Sequence, residues 1–147
     1  MPGIVCAIRG GPRSERTIEE AIELARRTGE PLYFLYVVNL DFLSHSASSR
    51  VHTLSEDMRE MGEFILASAK AKARRKGVDA HTVVRQGRVA DEILRLGKEV
   101  GAHYIIIGRP REGHEDNVFE ETALSEFERR VREELGAQLI TVREEGK

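Results

Sequence analysis

"IVCAIRGGPRSERTIEEAIELARRTGEPLYFLYVV", residues Ile4 to Val38, changes its apolar period twice. Ile4 to Ile8 is an unbroken apolar run rich in β-formers. Beyond Gly10-Gly11-Pro12 the apolar positions Ile18, Ala21, Ile22 and Ala25 recur at helical spacing, and from Leu32 a second strand-like run begins. Ser14 is placed to cap the helix, and Gly29 with Pro31 supplies its stop. The stretch therefore reads as strand, helix, strand. Such a unit pairs its strands in parallel, because a parallel crossover needs about a dozen residues and a helix both fills that distance and covers the sheet.

Working outward, the alternation continues. Asn39 to Arg50, "NLDFLSHSASSR", is polar and serine-rich toward its end, so residues 39–52 are expected to form a mobile loop beside the sheet. Thr53 and Glu56 have the spacing of a capping box, and Leu54, Met58, Met61, Ile65 and Ala69 mark the stripe of a helix that ends at Gly77. Val78 to Val84 alternates as a third strand. A helix carrying Ile93, Leu94, Leu96 and Val100 follows Gly87 and closes at Gly101; His103 to Gly108 is a fourth strand. Past a charged loop at residues 109–121 come a helix with Leu124, Phe127, Val131 and Leu135 on one side, a fifth strand at Gln138 to Val142, and a solvated tail at 143–147. With right-handed crossovers this order makes an open, doubly wound α/β sheet with helices on both faces.

Composition narrows the function. A length of 147 residues suits one domain with its own core. A net charge of -2 gives no chain-wide basic field for nucleic acid, and the apolar runs are far shorter than a membrane span of roughly 20 residues. The N-terminus enters a strand at once without a leader-like segment, which makes the cytoplasm the expected compartment. Cys6, the single cysteine, falls inside an apolar run and reads as core.

In open parallel sheets, ligands sit beyond the carboxyl ends of the strands where the strand order reverses, so the ends of strands one and four are the place to look. There stand "AIRGG" and "IIIGRPREG", with Arg9, Arg109 and Arg111 able to converge on an anion and the Gly10-Gly11 pair able to bring backbone amides close to it. The chain has no Walker sequence, no Gly-x-Gly-x-x-Gly after the first strand and no nucleophile elbow. Its five histidines have no known metal spacing, so neither a metal nor a catalytic residue is assigned. Asp91-Glu92 and Glu120-Glu121 read as solvated helix faces.

The Ile4–Val38 stretch, together with "VVRQGRVADEILRLGKEVGAHYIIIG" at Val83–Gly108, resembles the universal stress protein family of the adenine-nucleotide α-hydrolase-like group. The resemblance implies a five-stranded sheet of order 3-2-1-4-5. It also implies a homodimer formed by antiparallel contact of the last strands, here Gln138, Leu139, Ile140, Thr141 and Val142, an edge whose unpaired backbone groups give that contact an independent physical motive. The ATP-binding branch of the family carries Gly-x2-Gly-x9-Gly-Ser/Thr after strand four. Counting from Gly108, Arg111 holds the second glycine position, Glu121 the third and Thr122 the hydroxyl position; a displaced start at Gly113 ends on Ala123 and Leu124. The acidic residue common at the end of strand one is Arg9 here. The implied reading is a non-catalytic, dimerising regulatory domain in which standard ATP binding is weak or absent. Its alternative is a nucleotide or anion sensor built from Arg9, Gly10, Gly108, Arg109, Arg111 and Thr122. Related enzymes would need His-x-Gly-His or Ser-Gly-Gly-x-Asp near a strand end, and neither occurs.

Overall fold

The computed structural model describes residues 3–9, 14–39, 49–109 and 117–143. Five parallel strands, β1 (Ile4–Ala7), β2 (Leu32–Val38), β3 (Ala80–Gln86), β4 (Tyr104–Arg109) and β5 (Gln138–Arg143), pair in the order β3-β2-β1-β4-β5. Four helices, α1 (Ser14–Thr28), α2 (Ser49–Arg75), α3 (Val89–Val100) and α4 (Asn117–Arg130), connect them, and the chain continues from α4 through one π-helical segment at Val131–Leu135. The expected α/β class and strand order are those observed.

Two apolar clusters, one on each face, hold the layers together. Ile4 and Cys6 of β1 join Ile18, Ile22, Phe34, Leu66 and Ala73 beneath α1 and α2, while Val5 joins Leu35, Ile93, Leu96, Ile105, Phe127 and Val131 beneath α3 and α4. Alternate β1 residues thus feed opposite faces, as the period of a strand requires. Phe34, Ile22, Leu35 and Ile105 are fully buried, each worth about 1.5–3 kcal/mol relative to exposure. Cys6 lies in this core.

Several boundaries differ from those read in the sequence. α2 begins at Ser49, so positions 49–52 of the expected loop are helical and Thr53 is not the cap. Thr and Glu at that spacing also suit an exposed helical face, as Thr53 and Glu56 are here. β3 is shifted to Ala80–Gln86 because the chain must first leave Gly77, at φ 83°, and run back to the sheet. β5 takes in Arg143, the first residue of the expected tail. α4 begins at Asn117, so positions 117–121 of the charged loop are helical, and Arg109 belongs to β4. Residues 40–48, with Ser44, Ser46 and Ser48, and the tail residues 144–147 lie outside the described residues.

Gly62, inside α2, lies close against Tyr36 of the sheet. A Cβ there would run into the buried Tyr36 ring. Alanine in a helix interior ordinarily gains about 1 kcal/mol over glycine. Gly62→Ala is instead expected to destabilise the fold by about 1–3 kcal/mol, through overpacking. Tyr36→Leu in the same chain should recover part of that loss; urea unfolding of the three variants and wild type measures both, and a Gly62→Ala chain more stable than wild type contradicts the packing.

Candidate functional site

The carboxyl edge of the sheet is built from the ends of β1, β2 and β4. Ala7 of β1 stands opposite Ile107 of β4, and the Ile8 amide still donates to Leu35 O at 2.9 Å, holding the chain against β2 after β1 ends. The exposed Arg9 is two positions past Ala7, and Arg109 two positions past Ile107. Strands at the usual spacing of about 4.8 Å therefore bring the backbones leading to these two arginines side by side. Gly108, half-buried, is opposite Val142, and Arg109 is opposite Arg143, so a third arginine shares this edge. Gly10, Gly11, Arg111 and Gly113 lie outside the described residues.

Two helices differ at their N-termini from the sequence reading. Ser14 opens α1 and is buried, as is Thr17 one turn on. The hydroxyl position, Thr122, sits inside α4, beyond the four opening residues whose amides have no helical acceptor. Glu121 is likewise past that first turn. The amide at position 121 is directed to the carbonyl four residues earlier, as in any helix interior, and so is not free to surround a phosphate.

The sequence reading missed one buried carboxylate. Glu92 is not a solvated residue: it is 5 % exposed in the first turn of α3. Its Oε2 accepts from Arg95 Nη1 at 3.1 Å, and its Oε1 lies 3.9 Å from Arg85 Nη1. Arg85 of β3 in turn grips Glu99 with two bonds, Nη1 to Oε2 at 3.1 Å and Nη2 to Oε1 at 2.7 Å. Gly87 makes room for this cluster, since a Cβ there would come within 2.8 Å of Glu92 Oε2, and its φ of 151° favours glycine as well. Beside it, Arg130 of α4 donates to Asp91 at 3.2 Å. The signal for Glu92 was its place on the helical stripe that buries Ile93, Leu96 and Gly97. These acids are clamped by arginines and tie β3, α3 and α4 together, an arrangement suited to holding elements in place.

The described surface also has two open grooves away from the carboxyl edge. One, of about 540 Å³, is lined by Arg26, Glu30, Lys76 and His81 among others at the amino edge of the sheet; the other, of about 350 Å³, lies between α2 and β3. No helix among the described residues is long and apolar enough to cross a membrane.

A profile of the Universal stress protein family matches residues 2–123. Universal stress protein YxiE of Bacillus subtilis (strain 168) is 31% identical over 113 residues, which are 71% of this chain and 76% of that protein. Universal stress protein UspA from Lactobacillus plantarum has the same fold, with a TM-score of 0.76, 16% identity and 97% of each chain covered. A universal stress protein from Archaeoglobus fulgidus in complex with dAMP superimposes with a TM-score of 0.58, at 22% identity over 97% of this chain and 98% of that one. A universal stress protein in complex with cAMP superimposes with a TM-score of 0.68, at 16% identity over 98% of each. At these identities the structural likeness establishes the fold.

The Arg85 guanidinium beside Glu99 holds that carboxyl below the ordinary carboxylate range, chiefly through their hydrogen bonds. A carboxyl depressed in the folded state contributes stability above its unfolded pKa and loses it as pH falls through the folded value. Glu99→Gln should therefore be less stable than wild type at pH 7, and the gap should close below about pH 4. Urea unfolding across that range tests it; a gap that persists unchanged into acid means the pair adds nothing through charge.

Proposed function

The chain belongs to the universal stress protein family, and from that footing we propose that it acts by association and binding rather than turnover, as a homodimer joined through β5 in the cytoplasm, with standard ATP binding weak or absent. The observation that carries the reading is the start of α4 at Asn117. A phosphate cradle of the Gly-x2-Gly-x9-Gly-Ser/Thr kind depends on glycine amides at loop positions. Here the third glycine position is Glu121, within a helix, and the second is Arg111. Gly108 and Thr122 alone retain their residue types, and a carboxylate about 5 Å from a phosphate would oppose it by about 3 kcal/mol at an effective dielectric near 20. These residues do not fit the standard ATP geometry.

A specific observation favours a second reading. Arg9 and Arg109 leave adjacent strands side by side, and two of the three structural neighbours described above are complexes with dAMP and cAMP. In this reading the arginines, with Arg111, grip the phosphate of an adenine nucleotide or another anion, Gly10 and Gly108 admit it, and Thr122 shapes the pocket.

One experiment separates the two. The protein is purified without added nucleotide, any bound small molecule is released by denaturation and identified by mass spectrometry, and ATP, ADP and AMP are titrated calorimetrically. The first reading expects no carried nucleotide and no heat at micromolar concentrations. Carried nucleotide or micromolar binding, lost in Arg109→Ala and Arg111→Ala, overturns it in favour of the second. For the β5 contact, Gln138→Lys with Thr141→Lys places like charges along that exposed edge and is expected to lower the sedimenting mass relative to wild type; an unchanged mass removes β5 from the assembly.

A further inference from the structure

The other edge of the sheet carries a self-complementary surface. β3 pairs with β2 in unbroken register from Ala80 to Gln86, and it contains neither proline nor lysine, two residues that commonly blunt an edge strand. Beside it, α2 packs over β2 and β3 alike. Its flank toward β3 carries Arg59, Glu60 and Glu63 in its first half and Lys70 and Arg74 in its second. Glu63 and Lys70 both line the 350 Å³ groove, together with Leu66, Ala67, Thr82 and Val84.

Residues 63 and 70 are about 10 Å apart along the helix axis, outside the reach of pairs three or four positions apart. Among the described residues, none of Glu60, Glu63, Lys70 and Arg74 has an ion-pair partner. Lys72, on the opposite flank, is already engaged by Glu15 and Glu19 of α1 at 2.9 and 3.5 Å. Arg59 lines the same groove four positions before Glu63.

We propose that this flank and the β3 edge bind a second copy of the chain about a twofold axis. An axis through Val83, beside Leu66 and Ala67, runs the two β3 strands antiparallel and sets Glu63 against the partner's Lys70, with Arg59 and Glu60 together at the level of the partner's Arg74, so that the Glu63–Lys70 pair carries the charge match. Spacing supports the match. With strands about 4.8 Å apart and α2 lying over β2 and β3, the two α2 axes come to about 10 Å, close to the 8–10 Å at which helices pack. The groove is then the space that the partner's α2 fills, and each charge pair occurs twice because the contact is isologous. The surface lies on the edge opposite β5 and is independent of what the carboxyl edge binds.

The test uses the full chain carrying Gln138→Lys and Thr141→Lys, so that association through β5 does not mask the signal. Sedimentation velocity across the micromolar range is expected to show this parent as a dimer. Adding Glu63→Lys should raise its dissociation constant about tenfold, by replacing two attractions with two repulsions, and Glu63→Lys with Lys70→Glu should restore the parent's value. Circular dichroism confirms that these surface changes leave the fold intact. A monomeric parent, an unchanged constant in Glu63→Lys, or no restoration in the charge-swapped chain each overturns the proposal.

Discussion

A parallel strand with a neighbour on either side cannot be joined to them by tight turns, and Ile4–Ala7 is such a strand. Its residues Ile4, Val5 and Cys6 have no exposed surface, so both faces of the sheet must be covered as well. Covering both faces of a four-residue strand requires helices in the crossovers, and those crossovers bring β1 and β4 out of the sheet together at their carboxyl ends. The side-by-side exit of β1 and β4 thus follows from burying β1. A polar residue at Val5 or Cys6 would disturb the core and that exit together.

Elements with a strong period were legible in the sequence. β2 runs over Leu32–Val38 and α3 closes at Gly101, φ 64°, where the Ala102 amide reaches Gly97 O at 2.8 Å, both as expected. The errors fall where the local signal is ambiguous. The starts of α2 and α4 resemble loop as much as helix, because serine, arginine, asparagine and glutamate suit either and no apolar period has yet begun. Glu92 misled for another reason: residue type suggested water, while its partners Arg85, on β3, and Arg95 become visible only once β3 and α3 are packed. That β1 and β4 would end side by side was readable from topology alone. The helical placement of Glu121 and Thr122 was not, since the motif count treats its intervening residues as loop.

The two sheet edges differ in kind. β5 offers a short strand whose Leu139 and Ile140 are half-buried, with Arg143 at its end. β3 offers a strand of seven residues flanked by the charged side of a long helix, so its geometry selects an orientation as well as a strand partner. Backbone pairing alone is permissive, because any extended segment presents the same groups; the flanking charges discriminate by penalising the wrong register. Two isologous contacts on opposite edges of one sheet would extend assembly beyond a pair, which gives the outer flank of α2 a consequence larger than its area.

The altered loop and the extended α4 are physically consistent with each other. A helix N-terminus attracts negative charge, whether from a bound phosphate or from a carboxylate in the chain. With α4 beginning at Asn117, Glu120 falls in its first turn, where acids favour the helix, and Glu121 just beyond it. Glycine at 121 would weaken that helix by about 1 kcal/mol while freeing the backbone for a loop. The glutamate does the reverse on both counts, committing the segment to helix and adding charge of the sign a phosphate would bring.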